Sequence, residues 1–588
     1  MTQTSNEIPA SPPLSPAARI LWLVLIAATL YLCYFHNLGA LGLVGPDEPR
    51  YAWIARDMQE TGDWITPRLY GKPWFEKPPL YYWSAALSFK LFGVSETTAR
   101  LPSAISALFA TLALAWLALR LYGPETARWL LLLLPTTVGM LGFSHAAATD
   151  MPFAAMLTIA MVFATKLLNL IPASTQQANR DAASPIPLRS FISSTSFTAF
   201  FFGLFLGLAT LAKGPAALIL SGGAVLLWAL FTKRWRDTFR CLHPVAIASF
   251  CLTSLPWYIL CARSNPDFFR VFIIEHNFNR FLTPQFQHIQ PFWFYVPIVL
   301  LSVFPWTILL LTGIYAFCRN SLLELHKSSS DLFCICWGIF PLVFFSVSQS
   351  KLPGYILPAV PMLGILLARA ASSMQAPVRR STTVSFIVSA LGCGAVAFTL
   401  FAAPNLLASR FQDLRHVIVF VLSGLTLSFS FIALSFLTQH SHFAGHLARA
   451  IGFGVFLFIL SIASDKKTFD RFGVWNYSAR DLAHALHSSG TSPATLRLVG
   501  IDRATSYQLN FYFHSDLKDW DGVANPGEML VGRLISCSKL KLNIECKDLW
   551  RNYDKTDDWE LLQISSDPSL GGLGGGNTGS KLGDRQPR

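Results

Sequence analysis

The stretch "GPDEPRYAWIARDMQETGDW", residues 45–64, crowds carboxylates, arginines and aromatic rings just after the first apolar segment. Its acids are Asp47, Glu48, Asp57, Glu60 and Asp63, and its bases are Arg50 and Arg56. A carboxylate held at a bilayer edge and partly desolvated can act as a general base. Asp47 is the candidate for that chemistry. It also stands where a helix would begin, and by itself an N-cap is the better explanation. Pro49 suits a first turn, and Tyr51, Ile54, Ala55 and Met58 recur at helical spacing. Gly62 predicts the end of that helix.

The next stretch, "RLYGKPWFEKPPLYYW" (68–83), holds Lys77 between Glu76 and Pro78. Its prolines predict extended chain at the interface, with Trp74, Tyr81, Tyr82 and Trp83 as an aromatic belt. A lysine fixed by rigid backbone can bind a lipid phosphate as a point charge. Snorkelling explains a lysine there as well. "SHAAATDMP" puts Asp150 at the start of an apolar span, as a helix cap or a second active-site acid. "LAKGPAA" puts Lys213 before Gly214 and Pro215, as part of a plain turn or as a cation aimed at phosphate.

Two more segments carry polar groups of the same kind. "ARSNPDFFRVFIIEHNFNRFLTP" (262–284) offers Arg270, Glu275, His276 and Arg280. His276 and Glu76 could share a metal, although a hydrogen-bonded structural histidine is the commoner case. "SQSKLPGYILPAVP" (348–361) brings Lys351 and Tyr355 to a proline-broken helix start. Irregular backbone at membrane depth survives only where it lines a cavity or is buried in protein. Taken singly, each structural explanation prevails. Taken together, loops that all supply acids, bases and aromatics place a site on one face of a membrane.

The elements that must position these groups are membrane helices. The chain has 588 residues, 52% hydrophobic and 13% charged. Soluble chains carry about a quarter charged residues. Apolar stretches long enough to cross a bilayer fall near 18–36, 98–120, 126–144, 150–170, 196–212, 215–232, 243–262, 291–317, 331–349, 353–371, 383–403, 415–437 and 446–464. About thirteen transmembrane helices are therefore expected. The segment Leu80–Gly93 is too short to span and is expected at the interface.

The net charge of +13 arises largely in short loops. There it reports orientation, and no nucleic-acid partner is expected. With the N-terminus in the cytoplasm, "KRWRDTFR" (233–240) and "APVRR" (376–380) face inward. The loops at 37–97, 145–149, 263–290 and 350–352 then face outward, with everything after about 465.

Residues 1–17 read as a disordered cytoplasmic tail and 18–464 as the membrane domain, with 37–97 its first outer loop. The first span is expected to be a retained helix rather than a signal peptide. The insert "PASTQQANRDAASPIP" is a polar cytoplasmic loop. Residues 465–563 form a small soluble α/β or α+β domain. In it "ATLRLVGI" and "EMLVGRLI" are strands and "TSYQLNFYFH" is a helix. Residues 564–588 are a flexible glycine-rich tail. Eight of the ten cysteines lie in or beside apolar spans. Cys537 and Cys546 do not, and a disulfide between them is expected if that segment faces an oxidising compartment. No GxGxxG, Walker A, HExxH or GxSxG motif occurs, so soluble nucleotide chemistry is not indicated.

The motifs "PDEPRYAWIARDM", "GDWITPRLYGKPWFEKPPLYYW", "ATDMPF", "LAKGP" and "SKLPGYILPAVP", in that order, resemble the aminoarabinose transferases that modify lipid A. Those belong to glycosyltransferase family 83 of the GT-C superfamily and are related to protein O-mannosyltransferases. The likeness covers roughly residues 18–370. It implies a polytopic α-helical GT-C fold in a bacterial inner membrane, with the active site and the C-terminal domain periplasmic. It also implies an undecaprenyl-phosphate-type sugar donor and a glycolipid or protein acceptor, all meeting among membrane lipid.

By that resemblance Asp47 is the catalytic carboxylate, Arg50 its companion and Asp150 a second outer-loop acid. Lys77 would bind the donor phosphate, with Lys213, Arg280, Lys351 and Tyr355 near it. Glu76 and His276 resemble positions linked to a divalent metal ion. The family usually reads "PDETRY" where this chain has "PDEPRY", and Pro49 should preserve the helix start. A rival of the same class transfers sugar to Ser/Thr of proteins. A rival of another class is a lipid flippase, but the chain shows no matched repeat halves.

Overall fold

A computed structural model describes residues 15–171, 195–283, 289–321, 329–372, 376–403, 415–437, 442–463, 478–523, 525, 527–533, 546–554 and 557–564. The expected N-terminal tail up to residue 14, the polar insert at 172–187, Cys537 and the glycine-rich tail after 564 lie outside them. The chain divides into two compact units. One comprises Met1–Leu41 and Arg50–Val474, the other Gly42–Pro49 and Trp475–Arg588.

The first unit is helical. Its helices are α1 (Pro16–Tyr34), α2 (Asp47–Thr61, begun in the other unit), α3 (Leu80–Phe92), α4 (Glu96–Tyr122), α5 (Pro124–Leu133) and α6 (Val138–Ser144). Then come α7 (Asp150–Leu167), α8 (Thr195–Lys213), α9 (Ala216–Thr232), α10 (Pro244–Ser264), α11 (Tyr295–Ser302) and α12 (Thr307–Ser321). The last are α13 (Ser329–Val347), α14 (Val360–Ser372), α15 (Ala376–Ala402), α16 (Arg415–Leu437) and α17 (His442–Ala463).

Among the described residues ten helical segments are long and apolar enough to cross a membrane, so this is a multi-pass membrane protein. All thirteen expected stretches are helical, but the count of thirteen crossings is revised. The stretches at 126–144 and 291–317 are bent pairs, broken by 60° and 112°, and α9 has only 17 residues. Among the described residues the helices long and apolar enough to cross number ten, or up to twelve if each bent pair is one span.

The breaks are built in. The Thr136 hydroxyl donates to the Leu132 carbonyl at 2.8 Å and accepts from the Trp306 indole at 2.9 Å. Thr137 caps α6, and the Val138 amide donates to the Phe304 carbonyl at 2.9 Å. Each broken pair thus supplies polar partners to the other, as unpaired backbone in an apolar medium demands.

Between α2 and α4 the chain is more compact than its prolines suggest. A short hairpin pairs β1 (Arg68–Leu69) with β2 (Lys72–Pro73), and α3 follows. Tyr81 and Tyr82, expected in an aromatic belt, are fully buried instead. The Tyr81 hydroxyl donates to the Ala99 carbonyl at 2.8 Å. Phe75 packs edge-on to Phe268, 5.3 Å between centroids, and the Trp257 indole donates to the Ile65 carbonyl at 2.9 Å. The loop is thus nailed to the segments around 257–268 by buried aromatics.

In the second unit a five-stranded sheet has the order β4-β3-β5-β7-β6. Its strands are β3 (Leu496–Val499), β4 (Lys518–Asp519), β5 (Met529–Arg533), β6 (Cys546–Asp554) and β7 (Asp557–Ile564). β3 runs parallel to β4 and β5, and β7 runs antiparallel to β5 and β6. α18 (Arg480–Ser488) and α19 (Arg503–Phe513) supply Leu482, Leu486 and Leu509 to a core with Leu496, Leu498 and Val531. The expected strands and helix are found at β3, β5 and α19.

Residues Gly42–Pro49 pack into this unit. The Leu43 amide donates to the Tyr512 hydroxyl at 3.0 Å. A Cβ at Gly42 would overlap the Ser478 hydroxyl and come within 2.7 Å of that of Tyr512. Gly42→Val is therefore expected to destabilise this unit by about 1–3 kcal/mol, the usual range for forced overpacking. Limited proteolysis of the intact protein in detergent should show faster cutting after residue 475, and unchanged cutting would contradict the packing.

Candidate active site

Several of the charged groups singled out above are drawn together by the ends of helices, while Arg270 and Glu275 pair with each other away from the cavity. α7 begins with Asp150, one residue beyond its N-cap Thr149, so the carboxylate does not cap its helix. It accepts instead from Lys213 Nζ at 2.6 Å. Lys213 is the last residue of α8, and Gly214 takes φ +79° to turn the chain into Pro215 and α9. That left-handed conformation favours glycine. The ammonium also stands 5.2 Å from the Tyr355 ring centroid and 5.5 Å from that of Phe153, so two aromatic faces share its charge.

Lys77 follows the hairpin, held between Phe75 in its aromatic cluster and the Pro78–Pro79 pair that precedes α3. Burial, and then the nearby Arg280 charge, push its ammonium down to about 8 against the pull of Glu76. Arg280 and His276 come from a π-helix, Phe269–Asn279, and the residue that follows it. Widened turns of this kind are rare and frequent at functional sites. Burial holds the His276 ring below the ordinary histidine range; Glu76 opposes this, and Lys77 and Arg280 reinforce it.

Lys77, Lys213, His276, Arg280 and Tyr355 line one cavity of about 350 Å³. Its remaining walls are mainly aromatic and apolar, with Phe153, Phe281, Phe344 and Phe345 among them. A cavity of this size with a few convergent polar groups is the form of a small-ligand site. The charged side chains on its wall are the cations Lys77, Lys213 and Arg280, so the ligand it suits is anionic.

Other candidates are placed differently. Buried Arg50 meets Glu76 at 3.4 Å, with its guanidinium 5.4 Å from the Trp74 centroid. Lys351 is buried too, but its ammonium donates to the Ser348 carbonyl at 2.6 Å and it does not line the cavity. Asp47 opens α2, is exposed, and belongs to the second unit. For a divalent ion, Glu76 and His276 form a poor donor set. Glu76 is engaged by Arg50, Lys77 and Arg280 bear on His276, and among the described residues no three His, Cys, Asp or Glu converge. The pair does not fit a metal.

Sequence reasoning found the cations of the cavity but not the Asp150–Lys213 pair, the π-helix or the phenylalanine walls. Phe153, Phe344 and Phe345 lie in long apolar runs where nothing local marks them as walls of a site, and Phe281 lies in the polar segment 262–284. The only hint of the π-helix was the density of polar residues in 262–284.

A family model for dolichyl-phosphate-mannose-protein mannosyltransferase matches residues 19–272. Two curated relatives are undecaprenyl phosphate-alpha-4-amino-4-deoxy-L-arabinose arabinosyl transferases. That of Edwardsiella ictaluri (strain 93-146) is 31% identical over 64% of this chain and 64% of its own length. That of Enterobacter sp. (strain 638) is 32% identical over 63% of each. The chain thus spans just under two thirds of the length of these relatives.

Among solved structures, ArnT from Cupriavidus metallidurans in the apo state matches with TM-score 0.73 and 23% identity, over 95% of this chain and 100% of that one. The same protein bound to undecaprenyl phosphate matches with TM-score 0.72 and 22% identity, over 94% and 99%. The resemblance read from the motifs holds, and the fold is that of these two ArnT structures.

Proposed function

We propose that this chain is an integral membrane glycosyltransferase. It moves a sugar, aminoarabinose-like by its relatives, from undecaprenyl phosphate to a lipid A-like or other envelope acceptor at the outer face of a bacterial inner membrane. The observation that carries this reading is the convergence of Lys77, Lys213 and Arg280 on one cavity. In the transfer, the bond between the anomeric carbon and the phosphate oxygen breaks and an acceptor oxygen bonds to that carbon. The bonding pair leaves with the phosphate, which passes from a singly charged diester towards a doubly charged monoester.

Cations aimed at those oxygens stabilise the transition state more than the bound donor, because the charge grows as the bond breaks. Asp47 takes the proton of a hydroxyl acceptor. Arg50, buried against Glu76 and Trp74, stiffens the helix that begins at Asp47. The basic inward loops support a cytoplasmic N-terminus, with the cavity and the C-terminal domain on the periplasmic side.

The test is transfer by the purified protein in detergent, supplied with synthetic undecaprenyl-phosphate sugars and extracted envelope glycolipid. Mass gain on the lipid is the expected result. The mannosyltransferase match at residues 19–272 favours a second reading, transfer to Ser/Thr. Gain on added periplasmic proteins alone would select it. No transfer to either acceptor, with donor still bound, would favour a flippase.

Lys77 also sets a pH dependence. Its ammonium titrates near 8, so it is charged below that pH and neutral above. An anionic phosphate binds the charged form, and binding above that pH must take up a proton. The donor KM is therefore expected to be level below pH 8 and to rise by up to about tenfold per pH unit above it. Lys77→Arg, whose guanidinium stays charged, should flatten the rise. A level wild-type profile would remove Lys77 from the donor site.

A further inference from the structure

We infer that Asp150 and Gly354 together set the phosphate selectivity of the cavity, favouring a monophosphate-linked over a diphosphate-linked polyprenyl donor. The inference rests on the function proposed above and deepens it.

Asp150 Oδ1 takes one hydrogen of the Lys213 ammonium at 2.6 Å. The carboxylate does not line the cavity, but the ammonium does. A negative charge is therefore fixed directly behind one of the cations that face the ligand. It lowers the net positive charge met by any anion there by one unit, whatever the other groups do. The Tyr355 and Phe153 rings flank the same ammonium and leave it little freedom to move.

Gly354 makes this arrangement possible. A Cβ on it would stand 2.6 Å from the same Asp150 Oδ1 and 3.0 Å from the Phe143 ring. Any side chain there must push the carboxylate off Lys213 or displace Phe143. Tyr355, the next residue, presents its ring to that lysine, so one short 3₁₀ segment, Pro353–Ala359, supplies both the clearance and the aromatic face.

A diphosphate carries one more negative charge than a monophosphate into the same space. Within walls of phenylalanine that charge is costly unless a cation meets it. Lys213 is the cation whose charge is already shared. Removing the carboxylate releases that charge to the ligand, and the more highly charged anion gains more from it.

The probes are farnesyl phosphate and farnesyl diphosphate, and the readout is the ratio of their dissociation constants for the full-length protein in detergent. The wild type should bind the monophosphate more tightly. Asp150→Asn, which keeps the shape and drops the charge, should move the ratio about tenfold towards the diphosphate. Gly354→Ala should move it in the same direction by displacing the carboxylate, and it carries the test if the asparagine variant fails to fold. An unchanged ratio in both variants, or a wild type that prefers the diphosphate, would overturn the inference while leaving the donor reading intact. If neither probe binds the wild type, the donor reading itself fails and the inference with it.

Discussion

Lys77→Ala is expected to lower kcat/KM for the lipid-linked donor by about a hundred- to a thousandfold, the usual cost of deleting one preorganised group that meets developing charge. Three features make the effect large. Lys77 faces the cavity beside Lys213 and Arg280, so an anion there is met by it directly. Burial and the Arg280 charge already depress its ammonium, so in the free protein that charge is held at a cost which an arriving phosphate relieves. The backbone around it is fixed by Phe75 on one side and by Pro78 and Pro79 on the other, so its charge is held in place at no further ordering cost. The loss should fall on KM as well as on kcat, because Lys77 meets the phosphate of the bound donor and the charge it meets then grows as the bond breaks. Lys77→Arg should recover part of the rate, since the charge remains while the point-charge geometry does not. Steady-state kinetics with a synthetic undecaprenyl-phosphate sugar decide it. A variant within threefold of wild type would show that the phosphate lies elsewhere.

Asp47→Asn is the second large effect, about a hundred- to ten-thousandfold in kcat, the range for loss of a positioned general base. The donor KM should stay near its wild-type value, because Asp47 does not line the cavity proposed for the donor phosphate. The substitution keeps size and hydrogen-bonding shape, and Asp47 is exposed at the start of α2, so expression and thermal stability should not change. Glu48, its neighbour, is an internal control. It is buried and its carboxylate accepts from the Val44 amide at 2.7 Å, so Glu48→Gln should disturb the local turn rather than the chemistry. If Asp47→Asn lowers the donor affinity instead of kcat, Asp47 binds or orients donor and is not the base.

Much of the architecture was legible in the sequence. The helix from Asp47 to Thr61 ends at Gly62, which takes φ +73° as a terminating glycine should. The strands around Leu496 and Met529 and the helix between them follow their local apolar patterns. Bends were not legible. Residues 126–144 and 291–317 each read as one apolar run, because the polar partners at the breaks, Thr136, Thr137 and the Trp306 indole, barely change mean hydropathy. The buried pair Tyr81 and Tyr82 was misread for a related reason. Aromatics beside prolines look interfacial until the partners that cover them, such as Tyr51, are known to be 5.8–6.1 Å away.

For the site the division is sharper. Local pattern is enough for the class of molecule, the helical segments, and which residues have chemistry to offer, since burying apolar runs and exposing charge are local consequences of composition. How those groups are paired depends on contacts between segments far apart in the chain. Asp150 and Lys213 are 63 positions apart, and nothing local indicates that one carboxylate will neutralise the other's charge. Glu76 is matched to Arg50 rather than to a metal, and Lys351 is turned onto the Ser348 carbonyl rather than into the cavity. In a low-dielectric interior each buried charge must find a partner, and which partner lies within reach is a property of packing between distant segments.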